Sequence, residues 1–114
     1  MIRRALRRVQ RKAAFRTALD CASGTGRLLP VLAKFDVSVI AMDTAEEMLE
    51  EGRRYHHLFR EPPQIKVGSA LEIPLPDQSV DVVLCSRLLH HFPDAESRVQ
   101  IFREFARVAK VGVV

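Results

Sequence analysis

The sequence predicts an α/β fold in three layers, a mostly parallel sheet between helices, and three observations lead to it. The hydrophobic pattern changes period several times along the chain, as alternating strands and helices require and a bundle or a sandwich does not. The run Val80 to Cys85 is almost continuously apolar, which suits a strand covered on both faces in a parallel sheet. The short apolar segment Ala18 to Cys21 runs straight into Ala22-Ser23-Gly24-Thr25-Gly26, the pattern of a strand, a glycine turn and a helix start.

Taken in order, the first element is a leading helix within residues 1–17, with Ile2, Leu6, Val9 and Ala13 at helical spacing. Residues 18–114 form the domain proper. After the first strand, Arg27 to Phe35 reads as a short helix carrying Leu28, Leu29, Val31 and Leu32, with Pro30 tolerated in its first turn. Val37 to Met42 is a β-branched second strand ended by Asp43. Ala45 to Phe59 is a second helix, with Met48, Leu49, Tyr55 and Leu58 as core contacts, and Pro62-Pro63 stops the chain from continuing it. Gln64 to Val67 is a third strand, Gly68 to Ser79 a loop broken by Pro74 and Pro76, and Val80 to Cys85 the fourth strand. Ala95 to Ala109 is a third major helix whose buried side is expected to be Val99, Ile101, Phe102, Phe105 and Val108. The closing Val111-Gly112-Val113-Val114 reads as a turn entering another strand.

Composition narrows the function classes. With 114 residues, 47% of them apolar, one domain can bury a core without disulfide or metal staples. No apolar stretch approaches the length that spans a bilayer, so the expectation is a soluble, cytoplasmic protein. Cys21 and Cys85 sit in apolar runs, where a thiol behaves as a small hydrophobe, and a reducing compartment fits them; a disulfide is left open. The charge of +4 is uneven, because seven Arg and Lys residues from Arg3 to Arg16 precede the first acid, Asp20. A solvated amphipathic helix ranks first as the reading of that segment, a targeting segment second and a nucleic-acid contact third. No His, Cys or carboxylate spacing fits a metal site, the pairs His56-His57 and His90-His91 included.

In a doubly wound sheet, ligands bind at the carboxyl ends of the strands, and the first strand-to-helix turn brings backbone closest to them. Gly24 and Gly26 fall there. Asp43 follows about 20 residues later at the end of the second strand, where a carboxylate can hold two vicinal ribose hydroxyls. Asp43 also has a capping-box-like spacing to Glu46, and both roles are compatible. A dinucleotide fingerprint needs a third glycine where this chain has Arg27, which disfavours NAD.

Asp20-x-Ala22-x-Gly24-Thr25-Gly26 resembles the D-x-G-x-G-T-G motif of class I S-adenosylmethionine-dependent methyltransferases, which share a Rossmann-like three-layer fold. Three further segments resemble that family in order and spacing: Asp43-Thr44-Ala45-Glu46-Glu47-Met48-Leu49, the stretch from Gly68 to Asp81, and Leu88-Leu89-His90-His91-Phe92. The likeness runs from about Ala18 to Gly112 and is nearest to the branch that includes ubiquinone and menaquinone biosynthesis methyltransferases. It implies S-adenosylmethionine as cofactor and a small-molecule methyl acceptor as partner. It further implies that Asp20 and the backbone of Ala22, Ser23, Gly24, Thr25 and Gly26 hold the methionine portion. Asp43 would bind the ribose, Thr44 would lie against the adenine, and Ser69 and Ala70 would meet its edge. Residues Cys85 to Arg87 and His90 would line the sulfonium and acceptor side. His90 and His91 are the candidate general bases, since imidazole is suited to exchanging protons at neutral pH.

Three departures from the resemblance bear on function. Ala22 replaces the first glycine of the motif, at little cost if its backbone is ordinary. Ser69 stands where the family usually has an acid, which gives up charge assistance toward the adenine. Val111-Gly112-Val113 stands where the family's turn usually reads Pro-Gly-Gly, and the sheet is expected to be incomplete at that C-terminal edge. An exposed edge invites self-association or a partner chain. The readings carried forward are methyl transfer to a small molecule, a catalytically inactive binder of the same fold, and an RNA-associated protein using the basic helix.

Overall fold

The structure, a computed structural model, describes residues 2–12, 15–86 and 88–114, without the side chains of residues 9–12 and 90. Five strands, β1 (Thr17–Cys21), β2 (Ser38–Asp43), β3 (Gln64–Val67), β4 (Val80–Cys85) and β5 (Ala109–Val113), form one sheet in the order β3-β2-β1-β4-β5. Every pairing is parallel. The order reverses beside β1, so the crevice between β1 and β4 opens at the carboxyl ends of the strands. In register, Asp20 stands beside Ala41 and Leu84, and Cys21 beside Met42 and Cys85. Cys21 and Cys85 are therefore direct neighbours, and both are free thiols.

Helices cover both faces, α1 (Ile2–Lys12) and α2 (Leu29–Leu32) on one side and α4 (Ala95–Val108) on the other, with α3 (Glu46–Gly52) following β2. Alternation along the strands sends their side chains to two cores. Leu19, Cys21 and Val83 pack with Ile101, Phe105 and Val108 of α4. Ala18, Val82 and Leu84 pack with Leu6, Leu29 and Leu32. Leu6 is fully buried while Arg3, Arg4, Arg7 and Arg8 face water, so the leading helix is laid on the domain by one apolar stripe. Val9 by its side chain, and Ala13, lie outside the described residues.

The helical elements are shorter than the periodicity predicts. Only Leu29–Leu32 of the expected 27–35 helix is α-helical, with Pro30 at its start. The second helix ends at Gly52 and continues as a 3₁₀ helix over Arg53–Leu58. Four residues expected in the core face outward: Met48, Leu58, Val99 and Phe102 are each between 41% and 49% exposed. On α4 the helical arc centred on Ile101, Phe105 and Val108 is filled instead at its edge by Glu104, a buried carboxylate whose polarity hid it. No turn separates α4 from β5, since Ala109 ends the helix and begins the strand, which then pairs with β4 through an irregularity between Val80 and Val82.

Candidate functional site

The site lies where β1, β2 and β4 end. Asp20, next to last in β1, is buried, and its Oδ2 accepts a 3.0 Å hydrogen bond from the Ser23 hydroxyl. Burial pushes its carboxyl up to about 6, against the pull of the Ser23 bond and the Arg27 charge. Burial likewise pushes the Cys21 thiol up to about 12, so it stays uncharged.

Asp43 joins the ends of β1 and β2. Its Oδ2 accepts from the Gly24 N–H at 2.8 Å and its Oδ1 from the Ala45 N–H at 3.0 Å. Ala45, not Asp43, is the residue that opens α3, so Asp43 steadies the turn before the helix and Glu46 closes no capping box. Backbone bonds from Ser23 N–H to Met42 O (2.8 Å) and from Gly68 N–H to Asp43 O (3.0 Å) tie the three loops together.

The two glycines of the turn have different tasks. Gly24 (φ +57°) lines the site, and a Cβ there would lie 3.6 Å from Met48 Cε. Gly26 (φ +86°) faces the protein: a Cβ would come within 2.9 Å of Leu29 Cδ1 and 3.2 Å of Gly52 Cα. Its bare backbone lets the end of α3 approach. Ala22 is not among the residues with positive φ, so its methyl sits on ordinary backbone.

Two adjoining hollows open here and share Ala22, Asp43, Met48, Leu88 and His91. The first, about 260 Å³, is the more polar of the two, with Asp20, Ser23, Gly24, Thr25, Arg27 and Ser86 on its walls. The second, about 430 Å³, is more apolar, with Met42, Ala70 and Phe92 on its walls and the hydroxyl residues Thr44 and Ser69. Ser69 Oγ accepts from the Leu71 N–H at 3.1 Å, which leaves its own proton free to donate.

The 68–79 loop that carries Ser69 and Ala70 is fastened to α4. Glu104 accepts from the Ile73 N–H (2.7 Å) and from Arg107, while Arg107 donates to the carbonyls of Ile73 and Leu75 (2.8 Å each) and to Asp77 (2.9 Å). Gln100 adds a bond to Leu71 O at 3.0 Å. These ties hold the wall of the second hollow.

Of the residues chosen from sequence, Asp20, Ala22, Ser23, Gly24, Thr25 and Asp43 line the first hollow. Thr44, Ser69 and Ala70 line the second. His91 borders both, whereas Arg87 and the His90 side chain lie outside the described residues. Gly26 and Cys85 are brought to neither hollow; Cys85 packs against the core and the next residue, Ser86, faces the site. Sequence reasoning placed Met48 in the core, gave Leu88 and Phe92 no role at the site, and read Arg27 only as a missing glycine. Proximity to the glycine turn was the one signal that could have found Arg27, whose Nη2 donates to Ser86 Oγ at 2.7 Å.

Comparison with known proteins gives this geometry a family context. Residues 19–114 match the family model described as a methyltransferase domain. An uncharacterised methyltransferase-like protein of Schizosaccharomyces pombe is 35% identical over 99 residues, covering 84% of this chain and 36% of that protein. The demethylmenaquinone methyltransferase of Lactobacillus johnsonii is 37% identical over 107 residues, covering 85% of this chain and 42% of its own length. The crystal structure of a SAM-dependent methyltransferase from Methanosarcina mazei superposes with a TM-score of 0.72 at 26% identity, covering 82% of this chain and 47% of that one. The chain thus spans about two fifths of the length of these two curated relatives.

Proposed function

The chain belongs to the methyltransferase-domain family, and from that premise we propose that it binds S-adenosylmethionine across the two hollows and serves methyl transfer to a small-molecule acceptor. The observation that carries the reading is the pair of adjoining hollows, one more polar and one more apolar, that meet at Asp43. A ligand with a zwitterionic amino-acid end, a diol in the middle and a flat purine matches that sequence of surfaces.

Asp20, braced by Ser23, faces the ammonium of the amino-acid end. Asp43 already accepts one backbone N–H on each carboxylate oxygen, and each oxygen keeps a second lone pair for a ribose hydroxyl. Met42, Ala70 and Phe92 cover the purine, and Thr44 and Ser69 offer hydroxyls beside it. When bound, S-adenosylmethionine supplies a methyl group already activated on a sulfonium, so the protein's main task is to hold an acceptor in line with it. His91, at the junction of the hollows, is placed to take a proton from a hydroxyl or acidic-carbon acceptor. The free edge of β5 is proposed as a self-association or partner surface.

Titration calorimetry with S-adenosylmethionine and S-adenosylhomocysteine tests the core of this reading. Micromolar binding by the chain is expected, with loss of at least tenfold in Asp43→Ala. Folded protein that binds neither compound would overturn it.

A further inference from the structure

The chain's two cysteines have no part in the reading above, yet the sheet sets them side by side. Cys21 closes β1 and Cys85 closes β4, in register across the parallel pairing, and both are free thiols. Residues in register on neighbouring strands project to the same face. Here it is the face covered by α4: Cys21 belongs to the core built with Ile101 and Phe105, and Cys85 packs against that core. Paired strands stand about 4.8 Å apart, within the Cα separation of roughly 4.4–6.8 Å that disulfides span. The two thiols differ in access, since Cys21 is buried and Cys85 half-buried.

Their surroundings select among the products of thiol oxidation. Burial pushes both thiols up, Cys21 to about 12, so a charged sulfinate is disfavoured there, whereas a disulfide carries no charge. Their place ties them to the site. Cys21 borders the second hollow, its neighbour Ala22 borders both, and Ser86, next to Cys85, borders the first. We infer that Cys21 and Cys85 are an oxidisable dithiol, whose closure to a disulfide draws the ends of β1 and β4 together beneath the hollows and weakens ligand binding there. The effect on ligand rests on the S-adenosylmethionine reading of the site; the bond itself does not. Hydrogen peroxide suffices as oxidant. At Cys85, the more accessible thiol, an S–O bond forms as the O–O bond breaks, and the hydroxide released takes the thiol proton and leaves as water. The Cys21 sulfur then attacks the Cys85 sulfur, and its proton departs with the sulfenyl oxygen as a second water. A disulfide holds its Cβ atoms about 3.8 Å apart, about 1 Å less than the strand spacing, so the strand ends move inward and carry Ala22 and Ser86 with them.

The folded chain is exposed to hydrogen peroxide or equilibrated in glutathione buffers, its free thiols are alkylated, and the products are mapped by mass spectrometry. The expected product is a Cys21–Cys85 bond within one chain, reversed by dithiothreitol and absent in Cys85→Ala. Calorimetry then reads two probes, S-adenosylhomocysteine, and 5′-methylthioadenosine, which has the nucleoside thioether but no amino acid. Both should bind about fivefold more weakly to the oxidised chain and recover on reduction, whereas binding by Cys85→Ala should not respond to oxidised glutathione. Linkage demands the converse: saturating S-adenosylhomocysteine should lower the equilibrium constant for oxidation in the glutathione buffers by the same factor. Thiols that stay free in excess peroxide, links between chains in place of that bond, or a sulfinate at Cys85 alone would overturn the inference. A bond that forms with both affinities unchanged would overturn its coupling to the hollows. A loss that dithiothreitol does not reverse would do the same, because it would belong to oxidation of Met48, which borders both hollows. If the reduced chain binds neither probe, the cofactor reading fails, and the mass map still decides whether the bond forms.

Discussion

Asp20 shows at the scale of one residue how the site opposes stability. Its carboxyl titrates near 6 in the folded chain against 3.8 for the free group, chiefly because burial disfavours the charge. The native state therefore favours the protonated form; the stability that goes with it is complete below the unfolded value and is lost as pH rises through about 6. At 1.36 kcal/mol per unit the loss is on the order of 3 kcal/mol. Asp20→Asn keeps an acceptor for Ser23 and carries no charge. It should be more stable than the parent at pH 8 by about 1–3 kcal/mol in urea titrations, with the difference vanishing near pH 4, while affinity for S-adenosylhomocysteine drops by at least tenfold. Equal urea midpoints at pH 8 would show that the buried charge costs nothing.

The glycine pair divides in the same way. Gly26→Ala places a methyl against Leu29 and the Gly52 backbone at φ +86°, and about 2–4 kcal/mol of lost stability is expected from strain and crowding together. Gly24→Ala meets only an ordinary contact with Met48 Cε and should cost about 1 kcal/mol for its left-handed backbone, yet it puts the methyl into the first hollow and should weaken ligand binding more than Gly26→Ala does. Thermal melts paired with calorimetry check both. The sequence made these positions legible because a motif spaces them, but it could not tell which glycine faces ligand and which faces protein. That depends on where α3 ends. Arg27 and Met48 escaped for a related reason: one was read as a missing glycine, the other as core at helical spacing.

At the scale of elements, β3 and β4 and most of β1, β2 and α4 could be read from periodicity, since burial on both faces leaves long apolar runs and one buried arc. The helix lengths could not, because short helices here are held by tertiary contacts rather than by propensity. The fastening of the 68–79 loop was equally hidden, as it runs through polar groups 29 and more residues apart in sequence. Glu104 is its centre, and the Arg107 guanidinium, with the Ile73 N–H, holds its carboxyl below the usual range. Its contribution is thus present at neutral pH and is lost as acid protonates it. Glu104→Ala strands the Ile73 N–H and two guanidinium donors, for an expected cost of about 2–4 kcal/mol. Urea denaturation reads the stability loss. Because Ser69 and Ala70 ride on the same loop, binding of 5′-methylthioadenosine should weaken in parallel; a variant that loses stability with unchanged nucleoside affinity would separate the fastening from the site.

For the whole molecule, the decisive asymmetry is between the centre of the sheet and its edges. β1 and β4 are shielded by helices on both faces, while β5 is an outer strand with Val111 and Val113 more than 40% exposed. A β5 edge presents unpaired backbone donors and acceptors beside apolar side chains, and Lys110 is the one charge on the strand that opposes docking of another strand. The chain is therefore expected to self-associate as its concentration rises through the micromolar range. Val111→Lys with Val113→Lys adds two charges to that edge and should shift the chain toward monomer in sedimentation velocity. The variant should keep its affinity for S-adenosylhomocysteine, because neither valine borders the hollows. A parent chain that stays monomeric at 100-fold higher concentration would show that Lys110 and the twist of the edge are protection enough. Loss of ligand affinity in the double variant would instead mean that β5 sets the position of β4, and through Ser86 the width of the polar hollow.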